Sequence, residues 1–132
     1  MDVRTIDHVN LSIPESRIED ALSFYRDALG FGMEDLDAYR AGKRPLFTAR
    51  LGETCVIHFS PVDDEAFEPP TGNNFSHVCL IMESDIEGIR NLAEREDLPV
   101  ERESTPLGAT GRNGALYVTD PFGYTLELKA AL

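Results

Sequence analysis

Two stretches of the chain alternate between polar and apolar residues and then change to a helical spacing. In the first, apolar residues occupy every second position from His8 to Ile13, as in a strand that buries one face. Apolar positions then recur every three or four residues between Ile18 and Leu29. They predict a helix that stops at Gly30, a residue suited to the left-handed turn at a helix C-terminus.

The same succession returns in the second half of the chain. Residues 76–80 resemble residues 7–11, and such self-similarity indicates an internal duplication. In each half a Ser-x-x-Glu pattern follows, at Ser16 and at Ser84, and predicts a capping box that starts a helix. The apolar face of the second helix fades by Pro99.

Further strand-like runs follow each predicted helix. Along the chain they cover residues 33–39, 46–51, 54–60, 100–104, 115–119 and 124–130. Each half is therefore β-α-β-β-β, which predicts an α+β fold. A lone unit of about 60 residues buries too little surface, so the two units are expected to pack together or to pair with another chain.

A segment rich in proline separates the two halves. We predict a single domain over residues 1–132, with module 1 at about 4–60, a linker at about 61–74 and module 2 at about 75–132. The length is normal for one domain with one sizeable core.

Composition and charge narrow the classes of function. The chain has 42% hydrophobic and 27% charged residues, ordinary values for a globular protein. It has no apolar run of about 18 residues, so we expect no membrane span, and its first residues lack the apolar segment of a signal peptide.

The net charge of −12 repels phosphate backbones and argues against a nucleic acid partner. Cys55 and Cys79 lie in apolar strand-like runs, which favours buried reduced thiols and a cytoplasmic location.

Four side chains that can bind metal ions occupy matching positions in the two halves. His8 and His58 are 50 residues apart, and so are His77 and Glu127. The offset between the halves is 69 residues for both pairs. Strand alternation places His8 on the same face as Asn10 and opposite apolar neighbours, and His58 and Glu127 also share faces with polar residues. We therefore predict one apolar sheet face that carries the helices and one polar face.

Imidazole and carboxylate groups suit Fe, Mn, Ni, Co or Zn, and two His with one carboxylate leave positions open for a substrate. Taken singly, each histidine is readily explained as a hydrogen-bonded residue on a strand, and Glu127 as a surface carboxylate. Their matched placement in a duplicated unit favours a divalent metal site instead.

Several motifs resemble the vicinal oxygen chelate superfamily, which includes glyoxalase I, extradiol ring-cleaving dioxygenases, fosfomycin-resistance enzymes, methylmalonyl-CoA epimerases and bleomycin-resistance proteins. They are residues 6–9, 24–31, 76–78 and 116–127. The resemblance implies two modules that form an open half-barrel cup, completed in a homodimer.

It also implies that His8, His77 and Glu127 bind a divalent metal, Fe(II) or Mn in the first place and otherwise Ni, Co or Zn. That metal would chelate two neighbouring oxygens of a small-molecule substrate. The chain is closest to small uncharacterised glyoxalase/dioxygenase-type members with a Gly-Ala-x-Gly loop, seen here at Gly108–Gly111.

The subclass depends on His58. Glyoxalase I usually has Glu at this position and the epimerases have Gln, whereas the extradiol dioxygenases have a His that acts as acid and base. The resemblance therefore favours an extradiol-type ring-cleaving dioxygenase, with His58 and Tyr117 as catalytic residues and Asn10 and Arg112 as substrate contacts. The chain departs from those enzymes at residues 107–110, where they carry a further His before the Leu-Tyr pair.

Two alternatives stay open. One is a glyoxalase-like lyase or isomerase, or a fosfomycin-type thiol transferase. The other is a metal-free protein that binds a drug or metabolite, as bleomycin-resistance proteins do, although those members lack the metal triad.

Overall fold

The chain is built from two compact units. The computed structural model describes residues 1–71 and 73–132, and it divides into Met1–Glu68, called unit 1, and Pro69–Leu132, called unit 2. Gly72, which the sequence assigns to the linker, lies outside the described residues.

Unit 1 contains one four-stranded sheet and short helical segments. Its strands are β1 (His8–Pro14), β2 (Gly32–Glu34), β3 (Phe47–Gly52) and β4 (Cys55–Val62), and their order in the sheet is β1-β4-β3-β2. The first and last strands pair in parallel, while the other pairs are antiparallel.

The predicted first helix is divided into three kinds of turn. A 3-10 segment at Glu15–Arg17 precedes the α-helix α1 (Ile18–Ala21), and a π-helical segment continues through Leu22–Ala28. The predicted stop is confirmed, because Gly30 has a φ of 80°. The capping box at Ser16 is wrong, since no side chain caps this helix.

A second difference concerns the strand predicted at 33–39. Only Gly32–Glu34 is a strand, and residues Leu36–Arg40 form the helix α2. Asp35 lies between them with a φ of 64°, a left-handed conformation that ends an extended run.

The core of unit 1 lies between the helical segment and one face of the sheet. Leu11 and Ile13 are buried on β1, whereas the intervening polar residues are exposed, so the predicted alternation is confirmed. The Tyr25 ring packs 4.7 Å from the Phe59 ring, which in turn lies 5.3 Å from the ring of Phe47. These aromatic rings are core residues rather than the lining of a pocket.

Unit 2 repeats this plan. Its elements are β5 (Val78–Met82), α3 (Ile86–Arg95), β6 (Val100–Ser104), the hairpin β7 (Leu107–Gly108) and β8 (Gly111–Arg112), β9 (Ala115–Thr119) and β10 (Thr125–Ala130). The sheet order is β5-β10-β9-β6, and again the first and last strands pair in parallel.

Helix α3 is capped one residue later than predicted. The carboxylate of Asp85 accepts a hydrogen bond of 2.8 Å from the Gly88 amide, which satisfies one of the free amides of the first turn. Ser84 donates to the Asp85 carbonyl instead. The buried face of α3 presents Ile89 and Ala93.

The α+β class and the two β-α-β-β-β units are thus confirmed. Both cysteines are free thiols, but the prediction that they are buried is wrong for Cys79, which is exposed, and Cys55 is only half-buried. In the described ranges, no helix has the length and apolar character needed to cross a bilayer.

Candidate functional site

Strand register confirms that the duplicated positions are structurally equivalent. His58 on β4 and Glu127 on β10 are each the centre of a lateral row of three residues on neighbouring strands. The two rows are Asn10–His58–Thr48 and Cys79–Glu127–Tyr117. His8 begins β1, and His77 immediately precedes β5.

Unit 1 brings its two histidines together. The rings of His8 and His58 are 4.5 Å apart between centroids and inclined at 52°. The His8 Nδ1 atom lies 2.7 Å from a carboxylate oxygen of Asp7, and the His58 Nδ1 atom lies 2.8 Å from the hydroxyl of the buried Thr48. Both rings are therefore oriented through Nδ1, which leaves Nε2 as the nitrogen available to a ligand.

Burial and charge disfavour the protonated form of His58. Its pKa lies below the ordinary 6.5, first because burial removes water from the ring and then because of charge interactions with His8 and Arg44. The carboxylates of Asp7 and Asp35 oppose this shift but do not cancel it.

Unit 2 joins its histidine to the predicted carboxylate. The His77 Nε2 atom lies 2.9 Å from Glu127 Oε2, while His77 Nδ1 lies 2.8 Å from the Ser76 hydroxyl. Glu127 is only 4% exposed. A carboxylate so deeply buried needs a cation or several hydrogen-bond donors. The burial therefore argues against the interpretation of Glu127 as a surface carboxylate.

The thiol of Cys79 is the lateral neighbour of that carboxylate. Partial burial of the thiol, the charge of Glu127 and a hydrogen bond to it raise the pKa of Cys79 to about 11. The thiol therefore stays protonated at neutral pH. Sequence reasoning placed this cysteine in a core, whereas it belongs to the same row as the candidate ligand.

Tyr117 on β9 is the lateral neighbour of Glu127 on the side opposite Cys79. It is 4% exposed, and its ring meets the His77 ring edge-on at 5.4 Å between centroids. The guanidinium carbon of Arg102 lies 3.7 Å from the centre of the Tyr117 ring. Arg102 is a residue that sequence reasoning missed.

Glu101 on β6 accepts hydrogen bonds from Thr119 at the end of β9 and from Thr125 at the start of β10. The distances to its Oε1 atom are 2.5 and 2.8 Å, and these bonds are the main reason why the pKa of Glu101 lies below its usual range.

The two predicted substrate contacts have partners within the protein. Asn10 Oδ1 accepts a hydrogen bond of 2.7 Å from Ser60. Arg112 is exposed on the β7–β8 hairpin, where its Nη1 atom donates to the Thr105 carbonyl at 3.1 Å. Asn10 is also the lateral neighbour of His58 across β1 and β4.

A buried lysine supports the glycine-flanked hairpin. Lys129 is 1% exposed, and its Nζ atom donates to the Gly111 carbonyl at 2.5 Å. A Cβ atom on Gly108 would come within 2.9 Å of Nζ, so a side chain there would require Lys129 to shift.

Across residues 1–71 and 73–132, no group of three or more His, Cys, Asp or Glu side chains has the arrangement of a metal site. What the structure assembles are two pairs, His8 with His58 in unit 1 and His77 with Glu127 in unit 2.

Solved structures with this fold come from several bacteria. The virulence protein STM3117 of Salmonella typhimurium has 23% identity and a TM-score of 0.74, and 100% of each chain is covered. The lactoylglutathione lyase of Agrobacterium tumefaciens has 18% identity and a TM-score of 0.68, with 99% of this chain and 96% of that chain covered. A glyoxalase/dioxygenase of Nostoc punctiforme has 15% identity and a TM-score of 0.67, with 96% and 90% covered.

These likenesses define the class of protein, an α+β fold made of two repeated units. Residues 5–128 match the Glyoxalase/Bleomycin resistance protein/Dioxygenase superfamily, and the chain belongs to that superfamily. The resemblance inferred from the sequence motifs is thereby confirmed. None of the curated proteins matches the sequence.

Proposed function

We propose that the protein is a metal-dependent enzyme in which His8, His77 and Glu127 bind one divalent cation. The observation that carries this proposal is the common orientation of the histidines: each Nδ1 atom is engaged by an oxygen of a nearby side chain. Such contacts fix the ring and present Nε2 to a metal. The buried Glu127, at 2.9 Å from His77 Nε2, supplies the negative charge that such a cation requires.

The donor set fits the metals named above. Two imidazoles and one carboxylate suit Fe(II) or Mn, and also Ni, Co or Zn. When bound, the metal would chelate two neighbouring oxygens of a small-molecule substrate and stabilise the negative charge that develops on them.

The residues around the ligands have separate tasks. Burial is the main cause of the lowered pKa of His58 and favours its neutral form, so its Nε2 atom can accept a proton from the substrate and return it later. The hydroxyl of Tyr117 donates a hydrogen bond to the substrate. Asn10 and Arg112 are further proposed contacts, and Arg112 would have to leave the Thr105 carbonyl to reach a substrate.

Among reaction types we favour extradiol-type ring cleavage by a dioxygenase. This choice depends on His58. A neutral imidazole whose Nδ1 atom lies 2.8 Å from the Thr48 hydroxyl is suited to proton transfer. The favoured substrates are then catechols, which offer two adjacent oxygens.

One observation supports a second candidate, a non-redox lyase or isomerase of the glyoxalase kind. The His8 and His58 rings are only 4.5 Å apart, close enough for both to bind one cation. His58 would then be a fourth ligand rather than a base, and activity would not depend on oxygen.

Metal stoichiometry of single variants separates these roles. We expect the purified protein to bind one Fe(II) or Mn(II) per chain, and His77→Gln and Glu127→Gln to lose that binding. His58→Gln should keep the metal and lose ring cleavage if His58 is the base, and should lose affinity for the metal if it is a ligand. Glu87→Gln, at an exposed position of α3, is the matched control.

Oxygen uptake with catechols is the activity assay. Iron-loaded protein that consumes no oxygen with any catechol would refute the dioxygenase, and oxygen-independent turnover of a thiohemiacetal with Ni or Zn would establish the lyase. A wild-type chain that stays metal-free after dialysis against all five metals would instead favour a binding protein. A thiol transferase would require consumption of a thiol together with fosfomycin.

We propose in addition that the protein acts in the cytoplasm as a homodimer, the usual state of superfamily members of this size. Light scattering tests the dimer: a mass of 14.7 kDa, that of one chain, would contradict it.

A further inference from the structure

Arg102 reaches the polar face of unit 2 through an irregularity of its strand. Between Val100 and Arg102 the register of β6 shifts against β9, so that Val100 pairs with Val118 and Arg102 with Tyr117. Two residues of β6 thus advance against one of β9, which is a β-bulge, and bulges redirect side chains beside functional sites. Without the bulge, the strict alternation of β6 would not bring this arginine beside Tyr117.

The guanidinium group lies against the ring of Tyr117, at 3.7 Å from its centre. An aromatic ring beneath a guanidinium group holds its plane while the N–H groups at its rim keep their hydrogen-bonding capacity. The same ring lies 5.4 Å from the ring of His77, whose Nε2 atom is 2.9 Å from Glu127. A continuous path of contacts therefore connects Arg102 with the proposed ligands.

Arg102 forms none of the ion pairs within the described residues, although the chain carries 24 acidic residues and its charge acts on the neighbouring Glu101 carboxylate. The two flanking glutamates form their hydrogen bonds and ion pairs with other residues. Glu101 accepts from two threonine hydroxyls, and Glu103 forms an ion pair with Arg90. Including Arg90, seven arginines of the described residues form ion pairs with Asp or Glu. In so acidic a protein, an arginine that is fixed on a ring and outside the ion pairs is suited to bind a carboxylate of a ligand.

We propose that Arg102 binds a carboxylate of the substrate and thereby selects acids over neutral molecules with the same pair of adjacent oxygens. This inference rests on the proposed function, since it places the carboxylate beside the group that the metal chelates. The guanidinium fork matches a carboxylate with two parallel hydrogen bonds. Its position on the polar face of unit 2 makes it a specificity-determining residue rather than a catalytic one.

Matched ligands test the selection directly. Catechol, 2,3-dihydroxybenzoate, 3,4-dihydroxybenzoate and 3,4-dihydroxyphenylacetate share adjacent hydroxyls, and the acids place a carboxylate at different distances from them. Calorimetric titration of the Zn-loaded protein measures binding without turnover. We expect at least one acid to bind about ten- to hundredfold more tightly than catechol, the range for hydrogen bonds to charged groups.

The preference should depend on Arg102 and on the ring beneath it. Arg102→Gln should reduce the preference to about unity, while Arg102→Lys should keep part of it because it retains the charge but not the fork. Tyr117→Phe keeps the ring and should keep the preference. Arg95→Gln, on the exposed end of α3, is the matched control and should bind every ligand like the wild type.

Nuclear magnetic resonance of the metal-free protein separates failure of this inference from failure of the metal proposal. The Nε–Hε signal of Arg102, assigned by its loss in Arg102→Gln, should shift on titration with the preferred acid and not with catechol. Equal affinities for catechol and all three acids, or a preference that survives in Arg102→Gln, would overturn the role of Arg102. If the protein binds no metal but this signal still shifts, the lack of metal refutes the proposed enzyme, while the shift supports the carboxylate site at Arg102.

Discussion

The turn between β9 and β10 depends on one buried carboxylate. Asp120 is 4% exposed, and its Oδ1 atom accepts hydrogen bonds of 2.8 Å from the amides of both Phe122 and Tyr124. Its own amide donates to the Tyr124 carbonyl at 2.8 Å, and Gly123 turns the chain with a φ of 96°. The turn sets the direction in which β10 carries Glu127 back into the sheet. We predict that Asp120→Ala destabilises the protein strongly.

The magnitude follows from the two hydrogen bonds. A buried hydrogen bond to a charged group contributes about 1.5–3 kcal/mol, and removal of the acceptor leaves a buried donor without a partner. Because the two bonds share one oxygen, we take the lower end for each and expect a loss of about 3–4 kcal/mol. For a chain of this length that corresponds to a decrease in Tm of roughly 12 °C. Asp120→Asn keeps an acceptor oxygen and should lose only about 1–2 kcal/mol.

Urea denaturation followed by circular dichroism measures the free energy of unfolding. Asp2→Ala, at an exposed position before the first strand, is the matched control and should leave the midpoint unchanged. The reasoning fails if Asp120→Ala lies within about 1 kcal/mol of the wild type, or if Asp120→Asn is as unstable as Asp120→Ala, because the acceptor oxygen would then have no special importance.

Three further predictions follow from other features. In metal-free protein, proton NMR should find the pKa of His58 below 6.5, and His8→Asn should raise it only in part, since burial is the larger cause. Between that lowered pKa and 6.5 the folded state binds fewer protons than the unfolded chain. His58 should therefore make stability increase with pH in this window, and a wild-type minus His58→Asn difference that is flat from pH 5 to 7 would contradict this. At pH 8, iodoacetamide should modify Cys79 about 100-fold more slowly than a thiol of ordinary pKa, and faster in Glu127→Gln, as mass spectrometry would show. Gly30→Ala should cost about 1 kcal/mol in urea denaturation, because its φ of 80° strains any residue with a Cβ atom; an unchanged midpoint would refute that.

Much of the fold was predictable because the hydrophobic pattern is strong and occurs twice. The strands at Val100–Ser104 and Ala115–Thr119 have the predicted bounds. The pattern failed where one residue changes the backbone locally. Asp35 ends the extended run that was predicted through residue 39, and Asp85 replaces Ser84 as the cap of α3. Both errors depend on hydrogen bonds and dihedral angles that periodicity does not report.

For the site, sequence reasoning predicted which positions correspond but not how the side chains are held. The constant offset of 69 residues places His58 and Glu127 in equivalent rows, and the strand register confirms this. The orientation of His58 by Thr48 depends on a rotamer. The position of Arg102 depends on a bulge. Strict strand alternation cannot predict such a shift, so the position of Arg102 beside Tyr117 could be identified only from the structure.

The parallel pairing of first and last strands affects synthesis on the ribosome. In unit 2, β10 lies between β5 and β9, so the strand at the middle of the sheet is translated after both of its neighbours. Until Thr125–Ala130 leaves the ribosome, β5 and β9 expose unpaired edges, which are prone to aggregate. The nascent second unit therefore cannot complete its sheet before its final strand is translated, and we expect a premature stop codon just before Thr125 to yield an insoluble product rather than a shortened folded protein.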